Sequence, residues 1–225
     1  MNRQFDPNYY KDQAAGTAVP KVSWSGIWKG ERPVDLEIGG GVGYFALTYS
    51  RKNPNRYLIS IEKTKEKYRK FERRFLNHGS PDNLIPVHGN AIGFLVRDVP
   101  PSSIDRSILN YPNPYPKASQ KKKRWVNQPF FKFALSRIKP GGSIHIATNI
   151  SDYANEVEST LLKIKAIKLA SKNMLNLEAV NKHGYCPITH FEKKYLLDKQ
   201  TCHHLVFNYL GEENLRIPES SSRQI

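Results

Sequence analysis

Glycines and two acidic residues near the start of the chain carry its clearest chemical signal. The segment Glu37-Ile38-Gly39-Gly40-Gly41-Val42-Gly43 follows a short apolar run, and Glu62 ends the next one. Because glycine has no side chain, such a turn lets the backbone approach a ligand closely. A carboxylate after the second run can accept two hydrogen bonds from ribose hydroxyls. These residues predict a nucleoside-cofactor site, although the glycines alone fit an ordinary strand–turn–helix equally well.

The position of Glu37 inside the glycine pattern distinguishes between cofactors. The dinucleotide pattern G-x-G-x-x-G fits poorly, because Tyr44 stands where its last glycine should be. The pattern E-x-G-x-G-x-G is instead typical of proteins that bind S-adenosylmethionine. A carboxylate there pairs with the cationic methionine part of that cofactor, whereas it would repel a pyrophosphate. We therefore predict that S-adenosylmethionine is bound by Glu37, Gly39, Gly41 and Glu62.

Two further polar positions follow later apolar runs. In Asn90-Ala91, the amide can hydrogen-bond an adenine while the small Ala91 leaves room for its ring. Asn is equally favoured as the residue that caps the start of a helix, so both interpretations of Asn90 stay open. Asn90, Ala91 and Asn110 complete the predicted cofactor site.

A proline-rich loop comes next, with the sequence Tyr111-Pro112-Asn113-Pro114-Tyr115-Pro116-Lys117. Three prolines in five residues restrict the backbone, so an amide and an aromatic ring can be held rigidly beside a methyl donor. The basic run at residues 117–124 is well placed to hold substrate phosphates, although such a run can also be a solvated segment. The loop is therefore predicted to contact the substrate.

The elements that must position these residues alternate along the chain. Apolar runs predict strands at residues 34–38, 57–61, 84–87, 103–109, 143–148, 164–169 and 203–209. Helices are predicted from residue 44 and at 64–78, 127–138, 152–162 and 191–198. Strands separated by helices imply a doubly wound α/β fold with mostly parallel pairing. Because ligands bind at the carboxyl ends of such strands, the candidate residues should meet at one edge.

Composition narrows the class of partner. The chain has 35 Lys and Arg against 20 Asp and Glu, a net charge of +15, which favours a polyanion such as RNA. No apolar run is long enough to span a membrane, so we expect a cytoplasmic protein. Cys186 and Cys202 show no metal spacing and are read as reduced thiols, with no metal site expected. We predict an arm at 1–33, one domain at 34–210 and a disordered tail at 211–225.

The later motifs complete a pattern. They are Lys139-Pro140-Gly141-Gly142, Thr148-Asn149 followed by Tyr153, and Thr189-His190-Phe191-Glu192. Together with the earlier motifs, and over residues 34–209, they resemble the bacterial-type tRNA (guanine-46-N7)-methyltransferases. The resemblance implies a mostly parallel seven-stranded sheet of the class I, Rossmann-like methyltransferase type. It also implies methyl transfer from S-adenosylmethionine to guanine in tRNA.

The resemblance assigns residue roles as well. Asn113 stands at the position of the family's presumed catalytic or substrate-orienting aspartate, and the implied substrate contacts are Tyr115, Lys117, Asn149, Tyr153, Thr189 and Glu192. Asn90, Asn113 and Asn149 all replace family aspartates, and Tyr115 replaces a tryptophan. Each Asn keeps an acceptor oxygen but loses the charge and adds donors. Asn113 therefore cannot act as a general base, and guanine N7, which carries a free lone pair, needs none.

Three functions remain open from the sequence. The first is methylation of a ring nitrogen of an RNA base, with guanine N7 in tRNA preferred. The second is a diverged N-methyltransferase for a small nitrogen heterocycle, with its pocket changed by the three asparagines. The third is an RNA-binding protein with little catalytic activity. The basic stretches favour an RNA partner over a small metabolite, and either a monomer or a homodimer is expected.

Overall fold

The computed structural model describes residues 5–11, 17–18, 23–178 and 188–211, whose strands form one sheet. The strands are β1 (Thr17–Ala18), β2 (Val34–Ile38), β3 (Tyr57–Glu62), β4 (Leu84–His88), β5 (Ile104–Asn110), β6 (Ile138–Thr148), β7 (Ile167–Leu175) and β8 (Cys202–Tyr209). Their order is β1-β4-β3-β2-β5-β6-β8-β7. The central pairs are parallel, whereas β1, β7 and β8 pair antiparallel. The predicted seven-stranded, mostly parallel sheet is confirmed, with the two-residue β1 added at one edge.

Helices cover both faces of this sheet. They are α1 (Asn8–Lys11), α2 (Trp24–Lys29), α3 (Tyr44–Lys52), α4 (Lys65–Asn77), α5 (Ala91–Arg97), α6 (Phe130–Leu135), α7 (Ser151–Leu161) and α8 (His190–Leu197). Apolar residues of α3 and α4 form one buried cluster with the sheet, and those of α5, α6 and α7 form the other. On β5 the neighbours Ile108 and Leu109 belong to opposite clusters, as the alternation of strand side chains requires. The doubly wound prediction is therefore confirmed.

The segment around Lys139-Pro140-Gly141-Gly142 departs from the prediction. We expected a helix over 127–138 ended by this motif, but α6 is short, short 3₁₀ turns precede it, and the motif lies within β6. Gly141 has a φ of +82°, a left-handed conformation that glycine adopts freely. A side chain at Gly142 would come within 2.9 Å of the Asp105 carbonyl oxygen. The two glycines thus form an irregularity against β5, where the register shifts.

Parts of the predicted N-terminal arm pack on the sheet domain. Trp24 of α2 lies edge-on to Phe94 of α5, with ring centroids 5.1 Å apart. Phe5 lies 5.1 Å from Phe133 of α6, between ring centroids, and β1 pairs with β4. Cys186 and residues 212–225 of the predicted tail lie outside the described residues. Within the part of the chain that is described, no helix has the length and apolar character of a membrane span.

Candidate active site

A cavity of about 500 Å³ lies at the carboxyl ends of β2, β3, β5 and β6. Parallel strands bring these ends to one edge of the sheet, as the sequence predicts. The cavity joins the glycine turn, the proline-rich loop and the start of α8. It brings together eight predicted site residues: Glu37, Gly39, Gly41, Glu62, Asn110, Asn113, Asn149 and Thr189.

The glycine turn is packed on one side and open on the other. A Cβ at Gly40 would lie 2.2 Å from Ser60 Oγ, and one at Gly43 would lie 2.1 Å from the Phe71 ring. At Gly39 a Cβ would meet nothing within 4 Å, and at Gly41 it would meet only a carbonyl oxygen at 4.0 Å. Gly39 and Gly41 nonetheless have φ values of +85° and +58°, which favour glycine. The turn therefore leaves an open cradle of backbone that a cofactor can approach.

Glu62 ties the end of β3 to this cradle. Its Oε2 accepts a hydrogen bond of 2.9 Å from the Gly41 backbone N–H, and its Oε1 accepts one of 2.6 Å from the Thr64 N–H. The side chain is 6% exposed and lines the cavity. Each carboxylate oxygen has a second lone pair, so Glu62 can hold the turn and still accept hydroxyl groups from a ribose.

Glu37 is the second acid of the cavity. It is 2% exposed, and its Oε2 accepts a 2.6 Å hydrogen bond from Ser60 Oγ. Burial is the largest effect and raises the pKa of Glu37 to about 7, against opposing hydrogen bonds from Ser60 and Asn110. A cationic ligand would favour the ionised form of this carboxylate.

The proline-rich loop has a strained, specific conformation. Tyr111 and Tyr115 both have left-handed backbones, with φ values of 48° and 43°, which non-glycine residues rarely adopt. Asn113 Oδ1 accepts a 3.1 Å hydrogen bond from the Tyr115 N–H, closing a turn through its own side chain. Asn113 lines the cavity, where its amide N–H groups and the second lone pair of its Oδ1 can face a ligand.

The motif Thr189-His190-Phe191-Glu192 starts α8 and also supports the loop. Thr189 Oγ1 accepts a 2.9 Å hydrogen bond from the Glu192 N–H, as in a helix capping box. The Glu192 carboxylate is fully buried and accepts hydrogen bonds from the Ile188 N–H at 2.5 Å and from Tyr111 Oη at 3.0 Å. It also pairs with His204 of β8. Glu192 therefore acts on the cavity through Tyr111 rather than by direct contact.

The acidity of Glu192 reflects these partners. Burial alone would raise its pKa, but the hydrogen bonds from His204, Ile188 and Tyr111 and the His204 charge outweigh burial and hold the pKa below its usual range. Glu192 is consequently a stable anion that fixes the hydroxyl of Tyr111.

The remaining predicted residues lie off the cavity lining. Asn90 Oδ1 accepts a 3.0 Å hydrogen bond from the Ile92 N–H and caps α5, and Ala91 is the first residue of that helix. Tyr153 is fully buried, with the Arg124 guanidinium over its ring, and does not line the cavity. Tyr115 and Lys117 follow the lining residue Pro114, and Lys117 is exposed.

Several lining residues were not predicted. They are Tyr44, Lys67, Trp125, His190, Phe191 and Tyr195. Phe191 is 46% exposed and Tyr44 is 39% exposed, so both rings present part of their surface at the cavity. The i, i+4 spacing of Phe191 and Tyr195 on a predicted helix was an available signal, and their rings stack at 6.1 Å. Lys67 lies on the exposed basic face of α4. From the sequence alone, that face is interpreted as a solvated surface.

S-adenosylmethionine fits the residues present. The open backbone at Gly39 and Gly41 accommodates a close ligand, Glu37 suits a cationic amino group, and Glu62 suits a pair of hydroxyls. Asn110 adds a polar side chain between Glu37 and the proline-rich loop. These are the binding groups that an amino acid joined to a nucleoside requires.

Known proteins resemble this chain in sequence. Residues 31–205 match the family described as putative methyltransferase. A tRNA (guanine-N(7)-)-methyltransferase of Geobacter metallireducens is 32% identical over 136 residues, which are 60% of this chain and 64% of that protein. Another, from Acidithiobacillus ferrooxidans, is 30% identical over 178 residues, which are 77% of this chain and 74% of that protein. The match to the first relative thus spans slightly less than two thirds of its length.

The fold has known counterparts too. The solved structure of the 16S rRNA methyltransferase KamB aligns with a TM-score of 0.63 at 18% identity, covering 88% of this chain and 99% of that one. At this identity the likeness concerns the fold alone, which is the predicted Rossmann-like type. The family match over most of the chain and the identity to the Acidithiobacillus protein decide the assignment. The chain belongs to the family of the tRNA (guanine-N(7)-)-methyltransferases.

Proposed function

We propose that this protein transfers a methyl group from S-adenosylmethionine to N7 of guanine in tRNA. One arrangement carries the proposal: the glycine cradle and the proline-rich loop open into the same cavity, and the chain around that loop is strongly basic. Both relatives described above are named for this reaction. A tRNA substrate also agrees with the expected cytoplasmic location.

The cofactor half of the site would use groups from β2 and β3. When bound, S-adenosylmethionine supplies an electrophilic methyl group on its sulfonium. Glu37 would hold the amino group of the methionine part, and Glu62 the ribose hydroxyls, while Gly39 and Gly41 let the backbone close on the ligand. These residues fix where the methyl group points.

The acceptor half needs alignment more than proton transfer. Guanine N7 has a lone pair and no proton, so a positioned base and a dry site suffice for in-line attack. The exposed rings of Phe191 and Tyr44 offer faces on which an extracted base can stack. The amides of Asn113 and Asn149 line the same cavity and can bond the base edge. No residue is required to act as a general base.

The phosphates of tRNA would meet a segment of the chain that is rich in lysine. Residues 106–151 contain nine Lys and Arg and no Asp or Glu. Five of the nine are exposed lysines: Lys117, Lys121, Lys122, Lys123 and Lys132. Exposed lysines next to the cavity attract a polyanion and do not help bind an uncharged metabolite. This distribution favours tRNA over the small-heterocycle alternative.

The decisive experiment follows a labelled methyl group. The protein is incubated with tritiated S-adenosylmethionine and one of three acceptors: an unmodified tRNA transcript, the same transcript made with 7-deazaguanosine, or a pool of small metabolites. We expect label in the ordinary transcript and none in the deaza transcript, which lacks N7. Label in the metabolite pool alone would support the small-molecule enzyme. Label in both transcripts would place the methyl group elsewhere on the RNA.

A further inference from the structure

Arg124 ends the basic run Lys121-Lys122-Lys123-Arg124 but does not share its environment. The three lysines are exposed, whereas the Arg124 side chain is 2% exposed and is among the largest fully buried side chains described. A buried guanidinium is costly unless every N–H finds a partner. The partners of Arg124 therefore indicate what this charge does.

The guanidinium of Arg124 binds two carbonyl groups of the proline-rich loop. Its Nε donates to the Pro114 oxygen at 2.7 Å, and its Nη2 donates to the Tyr115 oxygen at 3.3 Å. These are consecutive residues of the loop, and the left-handed backbone of Tyr115 lies at this point. A planar fork of donors suits two neighbouring carbonyls, which a single ammonium could not bind in the same way.

The other side of the guanidinium is held by α7. Its Nη1 forms an ion pair with Glu156, and its Cζ lies 5.1 Å from the centroid of the Tyr153 ring. Asn127 Nδ2 donates a 2.5 Å hydrogen bond to the second Glu156 oxygen. The buried Tyr153 is thus the platform beneath Arg124, which accounts for a tyrosine at this point of α7.

The contacts join the loop to the cavity wall. Asn113, one residue before Pro114, lines the cavity and closes the turn on Tyr115, and Trp125, one residue after Arg124, also lines the cavity. We propose that Arg124 and Glu156 form a clamp that positions the acceptor loop, and that Arg124 is not a phosphate contact. The inference rests on the proposed function for its catalytic readout, but the clamp itself can be tested without RNA.

The test compares the buried Arg124 with Arg56, an ion-paired arginine whose side chain is 19% exposed. Arg124→Lys keeps the charge and loses the two-carbonyl fork, and Glu156→Gln keeps an acceptor and loses the countercharge. The matched control is Arg56→Lys, because Arg56 forms a bidentate pair with the buried Asp35, with hydrogen bonds of 2.7 and 2.5 Å, at the opposite end of the sheet. For each variant we measure the melting temperature, the affinity for S-adenosylhomocysteine and the turnover on tRNA. We also measure the salt dependence of RNA binding and the rate of tryptic cleavage.

We expect Arg124→Lys to lower kcat on tRNA by about ten- to a hundredfold, the scale of a misplaced reacting group. S-adenosylhomocysteine affinity should stay within about twofold. Because Arg124→Lys keeps the charge, phosphate contact is tested with Arg124→Gln, for which the salt slope of RNA binding should not change. Trypsin should cleave faster at residues 117–123, since lysine at 124 preserves the cleavage sites. Glu156→Gln should act in the same direction, and Arg56→Lys should lower the melting temperature without changing kcat or loop cleavage.

Two outcomes would overturn the clamp. Equal losses of kcat for Arg124→Lys and Arg56→Lys, at matched loss of melting temperature, would make Arg124 a general stabilising residue. A salt slope of RNA binding that falls by about one in Arg124→Gln, which removes the charge, would make Arg124 a phosphate contact. If the parent protein methylates no tRNA, the comparison of tryptic cleavage rates still tests the clamp. Failure of the proposed function is therefore distinguishable from failure of the clamp proposal.

Discussion

At the scale of single residues, the two acids of the cavity differ in what surrounds them. Glu62 accepts hydrogen bonds from two backbone N–H groups, whereas Glu37 is buried among Ser60, Asn110 and the nearby charge of Glu62. Burial raises the pKa of Glu37 to about 7, so its charge changes near neutral pH. The cofactor site therefore contains a group whose ionisation can be measured through binding.

We expect S-adenosylhomocysteine to bind about tenfold more weakly at pH 6 than at pH 8, because the carboxylate that would pair with its amino group must lose a proton first. Titration calorimetry at the two pH values measures this. Glu37→Gln should bind S-adenosylhomocysteine weakly at both pH values, so the difference in affinity between pH 6 and pH 8 should disappear. An affinity for the parent that does not change between pH 6 and 8 would exclude Glu37 from contact with the amino group.

The stability of the free protein should show the opposite trend. The pKa of Glu37 is higher in the folded state than its ordinary value of 4.5, so the folded protein holds this proton more tightly. This contribution to the free energy of unfolding is complete below pH 4.5 and is lost as the pH rises through 7. Glu37→Gln should therefore have a smaller decrease in melting temperature between pH 6 and 8 than the parent.

Asn113 offers a test of the acceptor. Its Oδ1 closes the turn on the Tyr115 N–H, so Asn113→Asp can keep the turn with one oxygen and present the other to the cavity. Guanine donates from its N1–H and amino group, and an added acceptor should raise turnover on tRNA by about tenfold, for about 1.4 kcal/mol of transition-state stabilisation. Initial rates of the two proteins on the same transcript are compared.

Asn113→Ala is the control for the turn, and it should lower turnover because the Tyr115 backbone N–H loses the Asn113 side-chain oxygen as its acceptor. If Asn113→Asp is no faster than the parent on tRNA, the asparagine does not limit guanine methylation. Loss of a native activity on another heterocycle in the same variant would instead favour the small-molecule alternative.

At the scale of elements, the central strands were predictable because their physical signal is local. The predicted bounds of β2 agree with those in the structure. The predicted bounds of β3, β4 and β5 differ from those in the structure by at most one residue at each end. The start of β7 was predicted three residues too early, and it continues to Leu175. As a strand at the sheet edge with many exposed residues, β7 lacks a continuous apolar run.

Contacts between distant elements were not predictable in the same way. The sequence Lys121-Lys122-Lys123-Arg124 reads as one solvated or phosphate-binding run, yet its last member is buried against Glu156, 32 residues later. Likewise Glu192 appears as a substrate contact in the motif but binds Tyr111, 81 residues earlier. Local patterns identify which residues matter, whereas pairing across elements decides what each one touches.

A substitution of Glu62 tests whether the contact between β3 and the glycine turn supports cofactor binding, since the Glu62 carboxylate joins the end of β3 to that turn. Glu62→Ala should weaken S-adenosylhomocysteine binding by about 1.5 to 3 kcal/mol, the scale of hydrogen bonds to a charged group, because both the ribose acceptor and the Gly41 partner are lost. Calorimetry measures the affinity. Glu66→Ala removes an exposed acid four residues later and should leave the affinity unchanged. Equal affinities for Glu62→Ala and the parent would remove Glu62 from the site.

At the scale of the whole molecule, charge is distributed unevenly around the sheet. The exposed Lys121, Lys122 and Lys123 follow the proline-rich loop, at the edge of the sheet that carries the cavity. Lys163, Lys165 and Lys168 are also exposed, but they lie in the turn after α7 and at the start of β7, at the opposite end of the strands. The net charge of +15 would attract RNA to either group, whereas a specific complex should use only the first.

Salt dependence separates these two cases, because each phosphate contact releases counterions and steepens the fall of affinity with salt. Replacing Lys121, Lys122 and Lys123 with Ala should reduce the slope of log affinity against log salt by about two to three, at roughly one per contact. The matched variant without Lys163, Lys165 and Lys168 loses the same charge and should keep the parent slope. Both are measured by tRNA binding over a salt series. Equal reductions would mean that the protein attracts RNA through its net charge, and a parent slope near zero would remove tRNA as the partner.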